Sequence, residues 1–265
     1  MPERLNPLSD EEIVSKLEEL GISVSRYEFV DDLRRSLDPG TVAELWRERN
    51  QTRIQGRDAD FPYCAAVQLS RRWAPDLYSI EKLEDIVDRL DILSGDKYVQ
   101  ERLDMYRLVW DQLKELYIHS MGLRSLDQLN REMNTTYDFE WVVSDYQHEL
   151  RNASIGLMER KALLEERITV CKEMLELLPD TDAHNLLNLR RDIAESYELM
   201  KDYAQAEHLY EQLTNEQPDW VWGYVGWGDM YNMRGDEGDR GKAEQIYRLG
   251  LERCREDRQV LKERL

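Results

Sequence analysis

A sequence that repeats after 34 residues constrains the fold of this chain more than any other feature. Within residues 187–254, Ala194 is followed 34 residues later by Gly228, and Tyr197 by Tyr231. The apolar residues of both copies recur at helical spacing rather than in strand alternation. The repeat therefore predicts one helical unit that occurs at least twice, and units of this kind bury their apolar faces by stacking on one another.

The second half of the repeat keeps its landmarks after a short insertion. The second copy gains three residues within the stretch Arg234–Gly241, so Ala206 corresponds to Ala243 and Tyr210 to Tyr247. The insertion predicts a longer turn between the two helices of the second copy. The clear copies are residues 187–220 and 221–257.

The alternation of small and aromatic residues, with Pro218 closing the first copy, resembles the tetratricopeptide repeat. In that family each repeat is a hairpin of a helix A and a helix B. Small residues let the two helices approach closely, and aromatic residues fill the space beside them. Pro218 would end a helix B because it cannot donate the next backbone N–H. The resemblance implies an α–α superhelix whose A helices line a concave face that binds peptides.

A weaker copy precedes the two clear ones, over residues 138–180. Phe139, Trp141 and Tyr146 lie on its first predicted helix, and Pro179 ends its second. Its spacing to the next copy differs by a few residues, so we interpret it as a degenerate repeat. About three stacked units are needed for a stable array, and this copy supplies the third.

The run PDWVWGYVGWGDMY is similar to bacterial proteins of unknown role in which tetratricopeptide repeats accompany a SEC-C zinc motif. A zinc motif needs closely spaced cysteines as ligands, and this chain has no CxC or CxxC, so the resemblance implies no metal function. The four histidines form neither HExxH nor HxH, and Asp145 with His148 supplies only two groups. We therefore expect no metal and no cofactor.

The N-terminal region also carries helical patterns, with three capping boxes in its first 50 residues. In a capping box a Ser or Thr side chain accepts from the third helical N–H, while a Glu reaches back to the capping residue. A break at Ser94–Asp96 suggests a boundary between an N-terminal helical region, 1–95, and a tetratricopeptide-like domain, 96–265. The sequence thus predicts an all-α chain. The boxes are Ser9 with Glu12, Ser25 with Glu28, and Thr41 with Glu44.

The charge of the chain limits its partners. Lys and Arg number 36 against 55 Asp and Glu, a net charge of −19, which repels nucleic acid and anionic lipid. No apolar run approaches the roughly 20 residues of a membrane span, and the start shows no signal-peptide pattern. Cys64, Cys171 and Cys254 are too few and too widely spaced for a disulfide framework, so we expect buried free thiols and a cytoplasmic location.

The predicted concave face is the candidate binding site. The chain has no phosphate-binding Gly-rich loop, nucleophile elbow or Cys–His motif, so we expect no enzyme but a scaffold that holds a peptide or protein partner. Trp222 would be either a partly exposed anchor or a core residue, and Arg191 could pair with a carboxylate of the ligand. The residues expected on this face are Asn188, Arg191, Glu195, Glu198, Trp222, Val225, Asp229 and Asn232.

A bacterial regulator is the alternative hypothesis, with an N-terminal helix-turn-helix and a C-terminal repeat domain that senses a signal. The segment LEELGISVSRYEFVDDLRR has the rhythm of helix, short turn, helix. A helix that enters the major groove of DNA must present a positive surface to the phosphates. The second helix of this segment is close to neutral, which favours an ordinary helical hairpin.

Overall fold

All secondary structure in the described part of this computed structural model is helical, with no strand, which confirms the predicted all-α class. Among the described residues, no helix is long and apolar enough to cross a lipid bilayer. Half of the insertion in the second repeat copy, residues 234–237, lies outside the described residues. The structure describes residues 5–133, 135, 137–156, 160–233 and 238–265.

Two compact units make up the chain, and their division differs from the boundary suggested at Ser94–Asp96. That stretch is a turn, in which Gly95 has a φ of +88°, and the helix that follows it packs against the helix before it. Leu103 and Trp110 of the following helix are buried, so it belongs to the N-terminal core. The units are Met1–Met121 with Met133–Tyr137, and Gly122–Glu132 with Asp138–Leu265.

The first unit is a cluster of helices around one central helix, α4. Residues 64–70 of α4 are all buried, because α1, α2 and α3 pack around it. Phe29 is fully buried, with its ring 5.5 Å from Trp46 and 5.6 Å from Trp73. The helices are α1 Asp10–Glu19, α2 Arg26–Ser36, α3 Pro39–Arg49, α4 Phe61–Trp73, α5 Ile80–Ile92 and α6 Val99–Gln112, which continues into a π-helical segment, Leu113–His119.

Two of the three capping residues predicted in the first unit do cap a helix, although Ser25 forms only half of its predicted box, accepting from the Glu28 backbone N–H at 3.3 Å. Ser9 and Glu12 form the predicted capping box. The predicted box at Thr41 is wrong: Thr41 lies inside α3, whose capping residue is Asp38. The Asp38 carboxylate accepts from the backbone N–H of Gly40 at 2.7 Å. Pro39 explains the earlier start, because its fixed φ favours the first helical position.

The second unit consists of helices packed in successive pairs. Neighbouring helices from α8 to α13 pack against one another in chain order, and α10 also contacts α12. This is the arrangement of an all-α superhelix built from stacked helix pairs, and the tetratricopeptide resemblance stays a prediction. The helices are α7 Leu126–Met133, α8 Phe139–Gly156, α9 Arg160–Leu177, α10 Ala183–Leu199, α11 Tyr203–Glu216, α12 Val221–Asn232, α13 Arg240–Arg253 and α14 Arg258–Lys262.

The small residues of the repeat lie where the sequence predicts close helix contacts. Ala194 and Ala206 are fully buried. A Cβ on Gly228 of α12 would lie 2.1 Å from Cε1 of Tyr247 on α13, so only glycine fits there. Gly250 has a similar role: its backbone lies against Leu261 of α14, which is fully buried and covers the end of α13.

Candidate partner-binding groove

A cavity of about 510 Å³ opens on the second unit, and we call it the groove. Residues from α8, α9, α10, α11 and α12 and from the C-terminal segment contribute to its walls. Its volume lies within the range of roughly 300–1,000 Å³ that is usual for ligand pockets. The lining residues are Arg151, Arg160, Arg191, Glu195, Glu198, Leu199, Lys201, Tyr203, Tyr210, Trp222, Val225, Gly226, Asp229, Met233 and Arg264.

Six of the eight residues expected on the concave face line this groove. Asn188 and Asn232 do not: Asn188 is half-buried on α10, and Asn232 is exposed at the end of α12. The structure therefore brings the two sets of A-helix residues together, and their role in binding stays a prediction. The six residues are Arg191, Glu195, Glu198, Trp222, Val225 and Asp229.

Trp222 lies half-buried at the groove, on the same face of α12 as Val225 and Asp229. The spacing of three and four residues between them places all three side chains along one stripe. Gly226 lies in the same stripe, and a Cβ there would lie 2.7 Å from Cε1 of Tyr210. The glycine thus lets the Tyr210 ring lie directly against the backbone of α12, which forms part of the groove lining.

A buried arginine supports the groove from beneath. Arg167 of α9 is 1% exposed, and its guanidinium donates to Gln147 Oε1 at 3.0 Å and to Glu195 Oε2 at 2.8 Å. It also lies 3.2 Å from Asp192 Oδ1 and 3.3 Å from Ser196 Oγ. These bonds join α8, α9 and α10, so the groove walls that carry Arg151 and Glu195 are fixed relative to each other.

The two carboxylates that face Arg167 differ in their pKa. Burial raises the pKa of Asp192 above its usual value, despite Arg167 and Arg191 nearby. Burial also acts on Glu195, but Arg167 and Arg151 outweigh it and lower the pKa of that carboxyl. Glu195 is therefore ionised at neutral pH, and its charge is shared between two arginines.

Asp229 is held by the C-terminal segment. Arg264 makes two parallel bonds to its carboxylate, Nε to Oδ1 at 2.9 Å and Nη2 to Oδ2 at 3.1 Å. The hydroxyl of Tyr247 donates to the same Oδ1 at 2.6 Å. Asp229 was expected to contact a partner. In the structure its carboxylate holds the Arg264 guanidinium on the groove wall, and its contact with a partner stays a prediction.

Several groove residues were missed by sequence reasoning. Arg151 lies on α8, at the end of the degenerate repeat's first helix, and Arg160 begins α9. Lys201 occupies the turn after α10 with a φ of +65°, and Tyr203 begins α11. Arg264 belongs to the short segment after the last repeat. The repeat pattern marks helix faces, so it gave no signal for turn and chain-end residues.

The hairpin proposed as a helix-turn-helix presents mixed charges. Tyr27 of α2 is 81% exposed, and Arg35 is hydrogen-bonded to Asp31 within the same helix. Asp32 is buried and accepts from Arg49 of α3 at 2.8 Å. The solvent-facing side of α2 therefore has no continuous positive stripe for phosphates, and the regulator hypothesis stays a prediction.

The histidine and cysteine residues considered in the sequence analysis lie apart from the residues that line the groove. His148 Nδ1 lies 4.0 Å from Asp145 Oδ1. Among the described residues, no group of three or more His, Cys, Asp or Glu is arranged to hold a metal ion. Cys64, Cys171 and Cys254 are buried free thiols, as predicted.

Comparisons with protein-family models, curated proteins and solved structures gave no match to this chain. The functional interpretation therefore depends on the residues of the groove alone. Those residues combine a half-buried indole, ionised side chains of both signs and a rigid base of helix pairs.

Proposed function

We propose that this chain is a non-enzymatic interaction scaffold that binds a peptide or protein segment in the groove of its second unit. The observation that carries this proposal is the convergence of six predicted residues on one cavity. They come from consecutive repeat copies, and the stacking of helix pairs brings them together. A concave face of this kind suits an extended segment of a partner, which can contact several repeats at once.

Trp222 would provide the apolar part of the contact. An aromatic side chain that is half-buried in the free protein loses little rotational freedom when a partner covers it, because it has only two side-chain torsions. Truncation of anchors of this type costs about 2–4 kcal/mol of binding free energy. Arg191 lines the same groove, so it can pair with a carboxylate of the bound segment.

The groove walls are held in place by hydrogen bonds within the protein, so a partner can bind without first ordering them. Arg167 joins three helices beneath the groove, and the paired Asp229 and Arg264 hold its far wall. A wall that is already in place before binding saves the entropy of ordering it. The proposed setting is a bacterial cytoplasm, which the three free thiols support.

Photo-crosslinking in cells tests this function. A benzoylphenylalanine at Met233, which lines the groove and is 74% exposed, should give a discrete covalent adduct with a partner protein on irradiation. The matched control carries the same residue at Ile92, which is 79% exposed on the first unit. The adduct at position 233 should decrease when Trp222→Ala is added. Identical adducts from both positions, or an adduct indifferent to Trp222→Ala, would contradict the proposal.

A further inference from the structure

The charge of the groove is opposite in sign to the charge of the chain. The whole chain carries 55 acidic and 36 basic side chains. The groove lining contains five cations against three carboxylates, Glu195, Glu198 and Asp229. A local excess of positive charge on an acidic chain raises the local concentration of anions over that of cations. The five cations are Arg151, Arg160, Arg191, Lys201 and Arg264.

Two of the three carboxylates are already neutralised within the protein. Glu195 accepts from Arg151 Nε at 2.8 Å, in addition to its bond from Arg167. Asp229 accepts the two parallel bonds from Arg264. Neither carboxylate therefore repels an incoming anion with its full charge.

Arg160 and Lys201 are the cations left for a ligand. Both side chains are exposed, and neither has a carboxylate within 4.0 Å among the residues that the structure describes. A guanidinium has five N–H donors and an ammonium has three, and neither group can accept. These two exposed cations line the groove together with Trp222 and Tyr203, and thus offer charge-assisted donors next to aromatic surface.

We propose that the groove selects a partner segment rich in Asp and Glu side chains, and that Arg160 and Lys201 provide this selectivity. The inference rests on the proposed function and specifies the chemistry of its partner. Arg160 begins α9 and Lys201 lies in the turn after α10, so the selectivity comes from residues outside the repeated A-helix face. Arg191 adds a third contact deeper in the groove, where its guanidinium is already 3.5 Å from Asp192.

Longer polyanions fit this groove poorly. Binding of nucleic acid relies on several cations along an extended surface. The five groove cations lie instead in one cavity, and the chain around them has a net charge of −19, which repels a long polyanion. A short acidic segment needs only the two or three local ion pairs. Its remaining residues can contact the aromatic and apolar lining.

Fluorescence anisotropy with a synthetic probe tests this selectivity on the full chain. The probe is rhodamine-labelled hexaglutamate with a blocked N-terminus and an amidated C-terminus, so that only side-chain carboxylates are charged. The comparison probe is hexaglutamine with the same label and ends. We expect hexaglutamate to bind about tenfold more tightly or better, and its affinity to fall as the salt concentration rises.

Charge reversal identifies the residues responsible. The double variant Arg160→Glu with Lys201→Glu should weaken hexaglutamate binding by about tenfold or more, since it replaces two attractions by two repulsions. Arg255→Glu with Arg258→Glu is the matched control, because both arginines are exposed in the same unit and neither lines the groove. It should leave affinity within about twofold. The neutral pair Arg160→Gln with Lys201→Gln should give an intermediate loss if the reversed pair alters folding.

Three results would overturn the inference. The first is equal binding of the two probes, or no binding of either. The second is an equal loss in both charge-reversal variants, which would indicate general electrostatics. The third comes from competition with unlabelled compounds at equal charge concentration. If tripolyphosphate displaces the labelled hexaglutamate and unlabelled hexaglutamate does not, the groove binds phosphate. If the reversed variant still captures the cross-linked partner and Trp222→Ala does not, only this inference fails and the proposed function stands.

Discussion

Gly228 of α12 faces Tyr247 of α13 so closely that a Cβ at position 228 would lie 2.1 Å from Cε1 of the ring. The ring cannot turn away freely, because Tyr247 is buried and its hydroxyl is bonded to Asp229. This contact joins the two helices of the last clear repeat, and Tyr247 bonds the carboxylate that positions Arg264. The packing of this hairpin and the shape of the groove wall are therefore linked.

Gly228→Ala should destabilise the protein. Overpacking of a closed contact costs about 1–3 kcal/mol, and the better helix propensity of alanine recovers at most about 1 kcal/mol of that. Gly241→Ala is the control, since among the described residues a Cβ there would meet only Asp239 Oδ1, at an ordinary contact distance of 3.4 Å. In thermal melts the Tm should fall for Gly228→Ala and should not fall for Gly241→Ala. An unchanged Tm for Gly228→Ala would mean that the two helices are not held in this close contact.

Arg167→Leu should cost about 3–5 kcal/mol of unfolding free energy. The substitution leaves Asp192 and Glu195 without their shared buried partner, and an uncompensated buried charge is expensive. Arg190→Leu provides the comparison, because Arg190 pairs with the exposed Glu216 and such pairs contribute at most about 1 kcal/mol. Urea titrations of both variants measure the difference, and similar midpoints would show that the Arg167 network adds little.

Glu81 should make the stability of the first unit depend on pH. The residue is 8% exposed, and its Oε2 atom has no hydrogen-bond partner among the described residues. Burial raises the pKa of Glu81 from 4.5 to about 8, with further contributions from Asp38 and Glu84. Between those values the folded protein binds more protons than the unfolded chain, so the free energy of unfolding falls as the pH rises from about 4.5 to about 8.

Glu81→Gln should remove this dependence, because the amide stays neutral over the whole range. Urea unfolding at pH 5, 7 and 8.5, followed by a probe in the first unit such as Trp46 fluorescence, measures the slope for wild type and variant. Exposed Glu19 supplies the control substitution, Glu19→Gln. An identical slope in the wild type and in Glu81→Gln would show that another group is responsible.

Leu261→Ala should lower the stability of the second unit by about 2–5 kcal/mol. Leu261 is fully buried and lies against the backbone of Gly250, so its truncation leaves a cavity under α14. Lys262→Ala changes an exposed neighbour and should have little effect. Removal of residues 257–265 should lower stability or solubility further, since it also removes Arg264 from Asp229. Wild-type melting of the truncated chain would show that this segment does not cap the array.

Much of the fold follows from local sequence signals. The Ser9 capping box and the breaks at Pro179 and Pro218 place helix ends as the structure has them, because caps and prolines act within a few residues. Thr41 misleads because Asp38 and Pro39 supply a second, stronger start signal just before it. The extent of the N-terminal core differs from the suggested boundary because the packing of α6 on α5 is a tertiary contact, which no turn signal reveals.

The groove could be predicted in part, because the repeat spacing is also a local signal. Repeat spacing assigns residues such as Trp222 and Arg191 to one face of a helix. It cannot show that the buried Arg167 lies beneath that face, since the sequence around it reads as an ordinary charged helix surface. Nor can it show that Lys201 and Arg264 reach the groove, because their positions depend on how a turn and a chain end fold over neighbouring helices.

The most direct test of the groove as a binding site compares two tryptophans. Trp222 is half-buried at the groove, whereas Trp141 is 53% exposed on α8 and does not line it. The partner that cross-linking identifies is purified in its free form. Its affinity is measured by calorimetry for wild type, Trp222→Ala and Trp141→Ala, after melts establish that both variants are folded. We expect Trp222→Ala to cost about 2–4 kcal/mol of binding free energy and Trp141→Ala less than about 0.5 kcal/mol. Equal affinities of folded Trp222→Ala and wild type would contradict the proposal that the groove binds the partner.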